Sequence, residues 1–184
     1  MNHHVGEDIR SLRKSRNLRL AELAAAVGRS VGWLSQVERG QTTPSVHDLG
    51  AIANRLGVSI SFFFRSSSRA PEERGLILRA ADRMAIGTPE SGLTEELLSP
   101  ALSGSFEMIK STFAPRSESA AVRPAAPRED GGVLISGQLR LTIDGTAFDL
   151  APGDSFQFAG KSYAWRNPGD EPAVVVWIVA PPVY

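Results

Sequence analysis

The chain has 184 residues, with 20 Lys and Arg balanced by 20 Asp and Glu, three His and no Cys. The balance excludes a polycation, and the missing Cys excludes disulfides, thiolate zinc sites and cysteine nucleophiles. No apolar run approaches the ~20 residues of a membrane span, and the N-terminus lacks a cationic stretch followed by an apolar one. The composition therefore reads as a soluble, cytoplasmic protein of one large domain or two small ones.

Charge divides the chain. Residues 1–69 hold ten basic and five acidic residues, and 70–184 hold ten basic and fifteen acidic ones. A basic N-terminal part points to nucleic acid, although the same excess also describes a solvated helical face. The first part reads as five short helices. Val5, Ile9 and Leu12 share one face of the first, among Arg10, Arg13, Lys14 and Arg16. The second runs Leu20–Val27 and stops at Gly28, which tolerates the left-handed backbone. Ser30 is a natural N-cap for a third over Val31–Arg39. The fourth spans about Val46–Leu56 and stops at Gly57. Ser59 or Ser61 opens a short fifth that ends in Phe62, Phe63 and Phe64.

Two short helices joined by a Gly-containing turn form a helix-turn-helix, here residues 20–39. Its second helix would lie in the major groove of double-stranded DNA. Candidate contacts are Arg29, Ser30, Val31, Gly32, Trp33, Ser35, Gln36, Arg39, Gln41, Thr42 and Thr43. Gln36 can make two hydrogen bonds to adenine, and Val31 can touch a thymine methyl. Arg39, Gln41, Thr42 and Thr43 surround the helix end and can reach phosphates. Trp33 has two readings, against sugar-phosphate or in a partly exposed core position. His47 reads as a surface residue near a helix start.

The stretches Ile9-Arg10-x-Leu12-Arg13-x-x-Arg16, Leu23-Ala24, Ser30–Gly40, Pro44-Ser45 and Leu56-Gly57-Val58 resemble the XRE/Cro-CI helix-turn-helix family over roughly residues 5–64. The resemblance implies a lambda-repressor-like domain at 1–65. It also implies an ion pair between Arg13 and Glu38, which we read as fixing the recognition helix rather than touching DNA. Leu20 departs from the family, many of whose members carry a phosphate-binding Gln there.

Residues 66–75 are polar, contain Pro71 and lack periodicity, so they read as a linker. Beyond them, short apolar runs alternate with turns. Candidate strands are 76–81, 106–113, 132–135, 138–143, 147–150, 155–158, 163–166 and 173–179. Asp144-Gly145 is a two-residue hairpin turn, and Pro152-Gly153 and Asn167–Asp170 are further turns. The unbroken apolar run Val174–Val179 reads as a strand buried on both faces. Short strands at regular spacing indicate a sandwich or barrel.

Gly137–Gly145, Leu150–Ser155 and Arg166–Pro172 resemble a small cupin, so residues 76–184 are expected to form a jelly-roll β-barrel. Metal-binding cupins take two His and a Glu from a first motif and a His from a second. In this chain the first motif falls in Ser117–Gly137 without any His, Asp130 stands where the Glu would be, and Tyr163 occupies the second His position. Such a site needs several imidazole or soft donors. No metal, cofactor or catalytic residue is expected. Arg123, Arg128, Asp130, Tyr163 and Trp165 remain at the barrel mouth, where they either bind a small effector or serve as core and solvated loop residues.

An XRE-type domain followed by a cupin resembles a large group of bacterial transcriptional regulators. The implied function is a homodimeric, sequence-specific regulator bound to a DNA operator, nucleoid-associated when bound. Its metal-free cupin would sense a small molecule or act only in dimerisation. A metal-dependent enzyme of the same architecture is the third reading.

Overall fold

The computed structural model describes all residues except 1, 2, 59, 65–69, 74, 91, 103, 183 and 184. It divides into two compact units. Residues 1–84 and 99–105 form most of the first, and 85–98 and 106–181 form the second.

Among the described residues four α-helices build the first unit: α1 (His3–Ser15), α2 (Leu20–Ala26), α3 (Val31–Glu38) and α4 (Val46–Leu56). Ile9, Leu12, Leu23, Leu34, Ile52 and Leu56 are fully buried and form its core. Gly28, Gly40 and Gly57 follow α2, α3 and α4 with φ of +66°, +69° and +70°. Each therefore ends its helix in the left-handed region that glycine adopts without strain. The expected fifth helix is instead a short 3-10 turn, Ile60–Phe64. Its five residues start right after the Gly57 stop, too few to repay helix nucleation. Phe62 and Phe63 are nevertheless buried, packed edge to face with centroids 5.8 Å apart. Ser59 lies outside the described residues.

Among the described residues the second unit contains nine strands: β1 (Ala85–Glu90), β2 (Leu93–Leu97), β3 (Glu107–Phe113), β4 (Glu129–Ser136), β5 (Leu139–Ile143), β6 (Thr146–Leu150), β7 (Ser155–Ala159), β8 (Tyr163–Arg166) and β9 (Ala173–Ala180). They form an antiparallel six-stranded sheet, β1-β2-β3-β9-β4-β7, and a three-stranded sheet, β6-β5-β8. No ladder of described residues joins the two sheets into a closed barrel, so the expected barrel is corrected to two sheets. Side chains rather than backbone ladders link them. Phe113 of β3 meets Trp165 of β8 at 4.7 Å, and Tyr163 of β8 meets Trp177 of β9 at 5.4 Å.

Residues 76–81 do not form the expected strand; turn and irregular backbone lead into a 3-10 turn at Ala80–Asp82. Leu76 is 73% exposed, so its apolar character reports no core position. The sheet instead begins with β1 and β2, which apolar periodicity did not announce. β1 carries Pro89, tolerated because β1 is an edge strand. β2 places Glu95 in register with inward-facing Ser111, so an acid occupies a position where a pattern search expects an apolar residue. β9 is also corrected. It alternates, with Val175, Trp177 and Val179 buried and Ile178 43% exposed, because only one face of the sheet is covered within this unit.

Candidate nucleic-acid interface

The outward face of α3 is defined by what its inward face holds. Leu34, Val37 and Glu38 are buried. Ser30 caps the helix, its hydroxyl accepting from the Trp33 backbone N–H at 3.1 Å. That bond satisfies a helix-end donor that would otherwise stay unpaired. At the other end Glu38 accepts from Arg13 Nε at 2.6 Å and from Nη2 at 2.9 Å, while Arg13 Nη1 donates to the Leu18 carbonyl at 2.9 Å. A forked guanidinium thus clamps α1 to the C-terminal end of α3. The helices can meet there because Gly6 has no side chain: a Cβ would lie 2.2 Å from the Val37 carbonyl oxygen.

Arg29, expected to touch DNA, also makes contacts within the protein. Its Nε and Nη2 donate to Asp48 Oδ1 and Oδ2 at 2.9 and 3.1 Å, and its guanidinium lies 5.3 Å from the Trp33 ring centroid. It ties the turn between α2 and α3 to the start of α4 and covers Trp33. Asp48 also accepts from the Ser45 hydroxyl at 2.7 Å, while its own N–H donates back to that hydroxyl at 3.1 Å. The donors from Arg29 and Ser45 hold the Asp48 carboxyl below the ordinary aspartate range. Sequence reasoning missed Asp48. The Ser45-x-x-Asp48 capping-box spacing was a readable signal for the cap, but not for Arg29.

Val31, Gly32, Gln36, Arg39, Gln41 and Thr43 are exposed, and Trp33, Ser35 and Thr42 are partly so. They lie on α3 and the turn that follows it. Arg39 donates to the Ser35 hydroxyl and, from Nε, to Gln41 Oε1 at 3.2 Å. Thr42 donates to Gln36 Oε1 at 3.2 Å. The surface thus carries donors, acceptors and one apolar contact, Val31.

The β unit brings together four of the five residues expected at its mouth. Asp130 accepts from Arg128 Nε at 2.9 Å and from Trp177 Nε1 at 3.1 Å. Arg128 Nη2 donates to the Tyr163 hydroxyl at 3.4 Å, and the Arg123 guanidinium lies 5.8 Å from the Tyr163 ring centroid. Burial pushes the Tyr163 phenol above its ordinary pKa, while Arg123 and Arg128 pull it down. Trp165 stands apart against Phe113. Trp177, which sequence reasoning placed only in the core, supplies the second donor to Asp130.

This donor set does not suit a cupin metal. The Asp130 carboxylate already accepts from an indole and a guanidinium, and Tyr163 is a buried phenol beside two arginines. Among the described residues no group of three or more His, Cys, Asp or Glu is placed to hold an ion. No helix of those residues is long and apolar enough to cross a membrane.

Residues 4–61 match the helix-turn-helix domain family, and residues 111–179 match the cupin domain family. The chain thus carries an XRE-type helix-turn-helix domain followed by a cupin domain. It is 27% identical over 174 residues to the HTH-type transcriptional regulator SutR of Escherichia coli, covering 89% of this chain and 86% of that one. It is 24% identical over 164 residues to the HTH-type transcriptional regulator PuuR of the same species, covering 88% and 86%. Among solved structures, that of FeII HppE is similar at a TM-score of 0.50 and 15% identity, covering 96% of this chain and 97% of the other. That likeness concerns the fold alone.

Proposed function

We propose that the protein is a sequence-specific, DNA-binding transcriptional regulator and not an enzyme. The observation that carries this is α3. Its inward face is clamped by the Arg13–Glu38 pair, while Val31, Gly32 and Gln36, with Arg39 at the C-cap, stand exposed on a capped helix preceded by a helix and a glycine turn. An α-helix presented this way fits the major groove. The relatives' names as transcriptional regulators support the same reading.

In this proposal Val31, Gly32, Ser35, Gln36 and Arg39 face base edges or the adjoining backbone, and Gln41, Thr42 and Thr43 reach phosphates. Ser30 and Arg29 hold the helix in place. Two copies join through the cupin, setting two recognition helices about one DNA turn, roughly 34 Å, apart. The functional division is a DNA module at 1–65, a connection at 66–75 and a cupin at 76–184, although residues 76–84 pack with the helical unit. Arg123, Arg128, Asp130, Tyr163 and Trp165 form the effector region, where guanidinium groups beside aromatic rings suit a small planar or anionic molecule. The protein works in the cytoplasm.

The test is selection from a randomised duplex DNA library, followed by titration of the enriched duplex. Gln36→Ala weakens binding by about 1–3 kcal/mol and relaxes preference at one or two base pairs. If Gln36→Ala and Arg39→Ala both leave affinity unchanged, α3 is not the reading element. A melting-temperature screen against metabolites tests the effector, since a ligand of the native state raises Tm.

A further inference from the structure

We infer that Thr42 sets the polarity of Gln36, so that the recognition helix reads guanine rather than adenine at the step Gln36 contacts. This rests on the DNA-binding reading above. Gln36 is exposed near the C-terminal end of α3, and its amide can present either an oxygen or two N–H donors outward. Thr42 decides between them. Its hydroxyl donates to Gln36 Oε1 at 3.2 Å and so occupies one of the two acceptor sites of that oxygen. In this proposal the Nε2 donors are the group that Gln36 presents to the groove.

Thr42 reaches Gln36 because of how the helix ends. Gly40 has φ of +69°, and the Gln41 N–H donates to the Gln36 carbonyl at 2.8 Å, folding the following turn back along α3. The same turn holds the neighbouring side chain, through Gln41 Oε1 and Arg39 Nε at 3.2 Å. Two residues of the turn therefore brace two reading residues, Gln36 on the helix and Arg39 at its C-cap.

The consequence follows from base-edge chemistry. Adenine offers one acceptor, N7, and one donor, the N6 amino group, so a Gln reading adenine must present its oxygen and its nitrogen together. Guanine offers two acceptors, N7 and O6. An amide whose oxygen is held by Thr42 and whose two N–H groups face outward complements guanine. Thr42 then acts through Gln36 as a positioning residue, and the readout is base preference, which a phosphate contact from the same residue would leave unchanged.

The experiment is selection from a randomised duplex DNA library by the full-length wild-type protein and by Gln36→Ala, Thr42→Val and Thr42→Ser. The step that becomes degenerate in Gln36→Ala is the Gln36 step. There the wild type favours guanine over adenine by about tenfold. Thr42→Val keeps the side-chain volume but loses the hydroxyl, and it shifts the step toward adenine. Thr42→Ser retains guanine. Adenine at that step in the wild type overturns the inference, and so does an unchanged preference in Thr42→Val. Failure of the wild type to enrich any sequence overturns instead the DNA-binding reading beneath it.

Discussion

The two units bury charge for different ends. In the helical unit, Arg13–Glu38 and Arg29–Asp48 join elements 25 and 19 residues apart, and each fork holds a helix so that its other face stays outward. In the β unit, Arg128, Asp130, Tyr163 and Trp177 converge on the interior, with Phe156 and Phe158 packed around them. The first arrangement positions a surface. The second packs and pairs polar groups in the interior of the β unit. The same residue types thus serve presentation in one unit and closure in the other, and the difference lies in what their neighbours leave exposed.

The sharpest way to break this comparison is to remove one member of the Arg13–Glu38 pair. Their side chains are 12% and 6% exposed. Glu38→Ala leaves a forked guanidinium without its carboxylate, and truncating one partner of a buried pair costs about 3–5 kcal/mol. Arg13 keeps an edge in solvent, so the expected loss is about 3 kcal/mol in urea unfolding. A loss below about 1 kcal/mol would show that hydrophobic contacts alone seat α3. A double variant with two apolar residues at these positions should regain much of the stability while keeping the helix in place.

In the β unit the matching test sets two tryptophans against each other. Trp177 Nε1 donates to Asp130, whereas Trp165 Nε1 is buried without a hydrogen-bond partner. Both indoles are nearly inaccessible to solvent. Trp177→Phe leaves a buried carboxylate oxygen short of a donor, at a cost of about 1–3 kcal/mol beyond the lost packing. Trp165→Phe removes an N–H that makes no bond, so only the packing loss remains. Thermal unfolding of the two variants should therefore rank Trp177→Phe as the more damaging. The opposite ranking would mean that the Asp130 cluster is not held by its hydrogen bonds.

What could be read from the sequence follows the same division. The helices were legible because their signals are local: Ser30 before Val31, and glycines at 28, 40 and 57, each at a positive φ. The Glu38 partner was legible only through family resemblance. Arg29 was read only as a DNA contact, and nothing local shows that its guanidinium also pairs with Asp48, nineteen residues on. In the β unit, turn residues marked β5 to β9 well. β2 stayed hidden because Glu95 faces inward toward Ser111, breaking the alternation that identifies a strand. Trp177 looked like plain core because its apolar strand gives no sign that its indole N–H meets Asp130.

A smaller effect tests the second clamp of the helical unit through pH. Arg29 and Ser45 hold the Asp48 carboxyl below its ordinary pKa in the folded state. The folded state then binds the proton less readily than the unfolded one. The stability from this ionised carboxylate is fully present above the ordinary aspartate pKa of about 3.9 and is lost as pH falls through the lower folded value. Asp48→Asn should melt below the wild type at neutral pH, and the gap should close in acid. A gap that is independent of pH would show that the Asp48 charge does not matter and that its capping geometry accounts for the whole effect.

The smallest expected effect separates geometry from burial. Arg140 and Asp149 also form a forked pair, at 2.6 and 2.8 Å, much like Arg29 and Asp48. Their donors are similarly open, Arg140 at 44% and Arg29 at 47% exposed, but Asp149 is 67% exposed where Asp48 is 7%. An exposed carboxylate loses little hydration on pairing and is screened by salt, so its fork contributes almost nothing measurable. Asp149→Asn should leave Tm unchanged at neutral pH, in low and in high salt, whereas Asp48→Asn lowers it. Equal losses from the two variants would mean that bidentate geometry alone confers the stability. Burial of the carboxylate would then no longer explain why Asp48, and not Asp149, fixes an element of the fold.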